Sequence, residues 1–274
     1  GHKKPMTLNH QADADLTPVI SRERFDAVIF NLDGVVTDVN KIHSEAWKQL
    51  FDEFLQDCPA LEGEDLRPFH DDLDYRRYVE GRARHSGVKN VLSSRHIELP
   101  LGEPDDPADR ETVYGLGNRK KHIFNELLEQ RDVLVYGCAI ALIHRLRNEG
   151  FKTAIVSASR HCDTILQKAE LGDRFDARVD GIEAERLDLG SKPDPYVLWE
   201  VAHRLGIDPD QIVVIEDSIV GVAASSRGRF GLTIGIDDGE QRQLMLDHGA
   251  DYVLEDLCRL HIDGTSEDDA ASPP

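Results

Sequence analysis

Four short polar runs carry the residue types that could do chemistry: Asn31-Leu32-Asp33-Gly34 with Thr37-Asp38, Ser157-Ala158-Ser159, Lys192-Pro193 and Glu216-Asp217. Carboxylate oxygens, as in Asp33, Glu216 and Asp217, are hard ligands that suit a small divalent cation. A lysine or a serine hydroxyl suits an anionic oxygen. Taken singly, each run is no more than an ordinary cap or a charge pair at a helix N-terminus. Their common position says more, because each run falls at the predicted carboxyl end of a strand.

The elements that must position them alternate. Residues 25–30 form a short apolar β-rich run, and from Lys41 the period changes, with Ile42, Ala46, Leu50, Phe51, Phe54 and Leu55 recurring at helical spacing. About seventy residues without strong strands follow, including a Pro/Asp/Gly-rich loop at 99–107 and the basic run Asn118-Arg119-Lys120-Lys121, and they read as an inserted helical unit. From 132 onward helices at 139–148, 162–169, 195–205 and 221–226 separate strands at 153–156, 177–179, 212–215, 232–236 and 251–254. Such alternation predicts an α/β fold, a doubly wound Rossmann-like parallel sheet of residues 21–39 and 127–262, with an inserted α-helical cap at 40–126. In such sheets ligands sit beyond the carboxyl ends of the strands, which puts all four runs on one rim. Residues 1–20 and 263–274 are expected to be flexible tails, and Gly1-His2 reads as the remnant of a purification tag ahead of a start near Met6.

A formal charge of −20 argues against nucleic acid and anionic lipid as partners. No stretch is apolar enough to span a membrane, so a cytoplasmic monomer with reduced, buried thiols is expected. A phosphorylated substrate would have to be attracted locally, against that overall field. The chain has no Walker sequence, HExxH or GxSxG, Gly115-Leu116-Gly117 lacks the third glycine of a dinucleotide site, and Cys162 reads as core.

In order and wording the four runs resemble the haloacid-dehalogenase superfamily over roughly residues 25–260. The first family motif is DxDG(V/T)xxD, written here Asn31-Leu32-Asp33-Gly34-Val35-Val36-Thr37-Asp38. The runs His43-Ser44-Glu45-Ala46-Trp47-Lys48, Gly81-Arg82-Ala83-Arg84, Gly117-Asn118-Arg119-Lys120 and Gly221-Val222-Ala223-Ala224 are similar to the β-phosphoglucomutase branch. The resemblance implies a Mg²⁺-dependent phosphotransferase for a small phosphorylated sugar. Position 31 would be the nucleophile that forms an aspartyl-phosphate, Asp33 the general acid/base, and Lys192 the cation beside the phosphorylated nucleophile. Mg²⁺ would sit among residue 31, the Asp33 carbonyl, Glu216 and Asp217. Phosphate contacts would come from Thr37, Ser157, Ala158 and Ser159, and sugar-phosphate contacts from His43, Arg84, Lys120 and His161, the last standing where the family often has asparagine. The implied reaction is β-glucose 1-phosphate to glucose 6-phosphate through a bisphosphate, with a sugar-phosphate phosphatase, for example for trehalose 6-phosphate, as the alternative. Asn31 departs from the motif: a neutral amide is a poor nucleophile and adds no charge for Mg²⁺. An inactive Asp-to-Asn form or a naturally silent sugar-phosphate binder both follow. A cap joined near Val39 and Glu126 would be able to close over the rim.

Overall fold

The computed structural model of the chain describes residues 17–58, 65–80, 82, 84–157, 162–190, 192–237, 239 and 241–263. Strands β1 (Val19–Ile20), β2 (Ala27–Asn31) and β3 (Thr37–Asp38) lead into helix α1 (Asn40–Asp57), a π-helical turn (Tyr75–Val79), α2 (Arg84–Ser94) and α3 (Val113–Gln130). The chain then alternates through β4 (Leu134–Val135), α4 (Gly137–Asn148), β5 (Lys152–Val156), α5 (Cys162–Lys168), β6 (Ala177–Val179), α6 (Gly181–Arg186) and α7 (Tyr196–Leu205). It closes with β7 (Ile212–Glu216), α8 (Ile219–Arg227), β8 (Leu232–Ile236), α9 (Arg242–Asp247), β9 (Tyr252–Leu254) and β10 (His261–Ile262).

Six strands pair in parallel in the order β6-β5-β2-β7-β8-β9. The chain winds outward from β2 through β5 and β6, then returns to the other side of β2 through β7, β8 and β9. That reversal opens a crevice at the carboxyl ends of β2 and β7. Because Phe30 pairs with Ile215, the next residues along, Asn31 and Glu216, stand level at the crevice.

Burial on both faces explains why β2 is almost continuously apolar. Val28 and Phe30 belong to one core cluster with Leu142, Ile143 and Leu146 of α4, whereas Ala27 and Ile29 belong to a second with Leu198, Val201 and Leu205 of α7. Within the helical insertion α1 lies along α3, and Trp47 stacks on Phe51 at 5.7 Å. Thr112 caps α3 by accepting from the Gly115 N–H at 2.9 Å, and its own hydroxyl donates to the buried Asp106 carboxylate at 2.7 Å. The antiparallel pair β3–β4, Thr37 against Val135 and Asp38 against Leu134, brings together the points where the chain leaves the sheet for the helices and returns to it.

Three expectations need correction. Residues 17–20 are not a tail, since β1 pairs in parallel with β10 and Ile20 is fully buried. Helix α3 runs to Gln130, with Leu128 on its buried face, so the return to the sheet comes at β4 rather than at Glu126. Cys138 and Cys258 are not reduced buried thiols: α4 packs on the 3₁₀ turn Leu257–Arg259, which brings their Cα atoms to 5.2 Å and joins them in a disulfide. Cys162 is a free, buried thiol, and Cys58 is half-buried. Among the described residues no helix is long and apolar enough to cross a membrane.

Candidate active site

Strand β2 ends at Asn31, and the chain turns back at once: the Val36 and Thr37 N–H groups both donate to the Leu32 carbonyl at 3.0 Å, and the Gly34 N–H donates to the Thr37 carbonyl at 2.8 Å. Gly34 sits at φ +87°, where a side chain is strained, and a Cβ there would collide with the Asp217 carboxylate. Only glycine therefore lets this turn lie against Asp217. Gly221, whose N–H caps onto Ser218 Oγ at 3.1 Å, makes the same kind of room, because a Cβ on it would collide with the Glu216 carboxylate.

The Asn31 amide joins the cluster. Its Nδ2 donates to the Asp33 carbonyl oxygen at 2.8 Å and to Asp217 Oδ1 at 3.0 Å, while Oδ1 accepts from Lys192 Nζ at 3.3 Å. Lys192 Nζ also donates to Glu216 Oε2 at 2.6 Å, and Glu216 is 1% exposed. Asn31, Asp33, Lys192, Glu216 and Asp217 thus form one constellation, drawn from β2, β7 and the loop before α7.

Three carboxyls face one ammonium here, and burial penalises their charged forms. It pushes the Asp33 carboxyl up to about 6, against the pull of Lys192 and with some help from Glu216. Asp217 is pushed up to about 8, by burial first and then by repulsion from Glu216. Asp33 Oδ1 is buried with no hydrogen-bond partner among the described residues. A carboxyl in that state near neutral pH can take or give a proton at a ligand oxygen.

A second constellation lies between α1 and α3. Lys120 Nζ is 2.7 Å from His43 Nδ1, with the Trp47 and Phe124 ring centroids 5.1 and 5.0 Å away, and His43 stacks on Phe124 at 4.1 Å. Burial, and then repulsion from Arg84, bring the Lys120 amine down to about 7. Burial and Lys120 hold His43 well below the ordinary histidine range. Lys120 is 6% exposed, so it is no solvated surface charge, unlike the exposed Arg84, whose Nη2 donates to Asn118 Oδ1 at 3.4 Å.

Other expected site residues fall elsewhere. Thr37 is fully buried and its hydroxyl donates to the Leu32 carbonyl at 3.2 Å, so it closes the turn and cannot contact a phosphate. Ser157, just past β5, is buried and its N–H donates to the Val179 carbonyl at 3.2 Å. Ala158, Ser159 and His161, with Gly81 and Ala83, lie outside the described residues. Sequence reading missed the rings around Lys120, although Trp47 is four residues after His43 and Phe124 four after Lys120, the spacing that stacks side chains on one helix face.

A doubly wound sheet with carboxyls and a lysine gathered at its switch point defines an α/β protein that handles a ligand beyond its strand ends. The chain belongs to the haloacid dehalogenase-like hydrolase family, which matches residues 25–228. It is 39% identical over 242 residues to the β-phosphoglucomutase of Mycobacterium bovis, covering 87% of this chain and 92% of that protein. A phosphorylated carbohydrates phosphatase from Thermotoga maritima is 26% identical over 231 residues, covering 82% of this chain and 92% of the relative. The crystal structure of a β-phosphoglucomutase from Clostridium difficile shares the fold at a TM-score of 0.57 and 20% identity, over 86% of this chain and 93% of that one.

Members of this family generally use Mg²⁺, and the donors here fit it in part. The Asp33 carbonyl and Asp217 Oδ1 converge on one point, as two oxygen ligands should, but the group at that point is the Asn31 NH₂. Among the described residues no three His, Cys, Asp or Glu side chains come close enough together to hold an ion.

Two raised carboxyls have a consequence for stability. The folded chain keeps protons that the unfolded chain has released, from the ordinary carboxyl value of 3.8 up to about 8, so stability falls as pH rises through that window. Without divalent cations, Asp217→Asn is expected to raise the urea unfolding midpoint near pH 8 and to change it little near pH 4.

Proposed function

We propose that this site is a phosphoryl-transfer site for sugar phosphates, of the β-phosphoglucomutase kind, and that the chain bearing Asn31 is impaired in it. The observation that carries the reading is Asp33: two residues beyond position 31, with a buried carboxyl oxygen that has no hydrogen-bond partner among the described residues and a pKa near neutrality. A mutase needs one group at the reacting hydroxyl that serves as acid in one half-reaction and base in the other, and it works best near the operating pH. Lys192 stands where it would neutralise a phosphorylated residue 31, which an aspartate would form and an amide would not. With an aspartate at 31, that carboxylate, the Asp33 carbonyl and Asp217 would hold Mg²⁺, which spreads the negative charge of the transferring group. Lys120 and Arg84 supply cations in the helical insertion, where a sugar's other phosphate would need them.

The named activity of the Mycobacterium bovis relative supports the mutase over other reactions. A phosphatase is the second reading, favoured by the Thermotoga maritima relative, and it would use the same residues with water as the final acceptor.

Turnover of β-glucose 1-phosphate with Mg²⁺ and a trace of glucose 1,6-bisphosphate tests this. Asn31→Asp is expected to form glucose 6-phosphate at least about a thousandfold faster than the chain with Asn31. Release of inorganic phosphate without the isomer would select the phosphatase, and inactivity of both forms would rule out β-glucose 1-phosphate as the substrate. In the Asn31→Asp background, Lys120→Met is expected to raise KM by about ten- to a hundredfold, the worth of one charged hydrogen bond. The affinity carried by Lys120 should fade as pH rises above about 7, where its amine loses the proton.

A further inference from the structure

We propose that the Asn31 amide stands in for the cation at the end of β2 and excludes Mg²⁺ from this chain. The inference rests on the reading above, in which the Asp33 carbonyl and Asp217 are the cation's oxygen ligands. An NH₂ group has two hydrogens and no lone pair to offer a metal, and both hydrogens of Asn31 are engaged, one on Asp33 O at 2.8 Å and one on Asp217 Oδ1 at 3.0 Å. The place where the two oxygens converge is therefore filled by a neutral donor that satisfies them without a full charge.

For Asn31 to serve as a ligand, its amide would have to turn over and present Oδ1. That rotation breaks both bonds and sets the NH₂ against Lys192 Nζ, which now lies 3.3 Å from Oδ1, so that two donors would face each other with no acceptor between them. Lys192 is not free to retreat. Its ammonium also donates to Glu216 Oε2 at 2.6 Å, and Glu216 is buried against Gly221, where not even a Cβ would fit. One donor and two acceptors around the amide thus select a single orientation, the one a metal cannot use. A carboxylate at the same position is under no such constraint, since either oxygen can accept from Lys192 while the other faces the cation.

Alanine at 31 distinguishes a block from a weak ligand. Mg²⁺ is titrated calorimetrically, and Mn²⁺ by the electron paramagnetic resonance of the free ion, into the full chain, Asn31→Ala and Asn31→Asp, each first shown to be folded by circular dichroism. An excluding amide gives a rising order of affinity, Asn31 below Asn31→Ala below Asn31→Asp, with the last about ten- to a hundredfold tighter than the first. If the amide instead ligates through Oδ1, alanine removes a ligand and binds more weakly than asparagine, and the proposal is overturned, as it is by equal affinities. Failure of Asn31→Asp to bind either ion would instead remove Asp33 and Asp217 as cation ligands, and the reading on which the proposal rests with them.

Discussion

The ion pair between Lys192 and Glu216 is the contact on which the rest of the site depends. Glu216 ends the strand beside β2 at 1% exposure, and a carboxylate so placed without a cation would cost several kcal/mol. Lys192 Nζ meets that need at 2.6 Å, and its remaining reach fixes Asn31 Oδ1 at 3.3 Å. With Oδ1 fixed, the NH₂ must face Asp33 and Asp217, and with the ammonium committed to Glu216 those two carboxyls bear the cost of burial. Their raised pKa values and the amide's orientation are two results of one charge balance.

The sheet makes that balance possible and also confines it. Parallel pairing in the order β6-β5-β2-β7-β8-β9 sets the ends of β2 and β7 side by side, and Gly34 and Gly221 clear the volume that Asp217 and Glu216 fill. The helical insertion adds a different kind of cationic site. Lys120 lies among Trp47, Phe124 and a neutral His43, with no carboxylate paired to it among the described residues. The β3–β4 pair ties the two parts together at the base of the insertion.

Much of this was legible in the amino-acid sequence because burial on both sides leaves a signature. The runs at 25–30 and 212–215 read as central strands, and the period change at Lys41 read as α1; placing strand ends on one rim then gathered Asn31, Asp33, Lys192, Glu216 and Asp217. What could not be read depends on partners far along the chain. Two residues show no period, so β1 was invisible until β10 paired with it. Cys138 and Cys258 are 120 residues apart, and nothing in their spacing marks them as a pair. Thr37 has a hydroxyl suited to phosphate, but a tight turn points it at its own backbone. Lys120 was legible as a cation in a basic run, but its burial comes from the packing of α1 on α3, which the run does not show. The amide orientation at Asn31 is set by a lysine 161 residues away.

The most direct test of the central claim, that residue 31 sits where a phosphoryl group is accepted, is intact-protein mass spectrometry after brief exposure to glucose 1,6-bisphosphate and Mg²⁺. The account predicts one added phosphoryl group on Asn31→Asp, lost on mild base treatment as an acyl phosphate is, and none on the chain with Asn31. Equal labelling of both forms, or of neither, would contradict it.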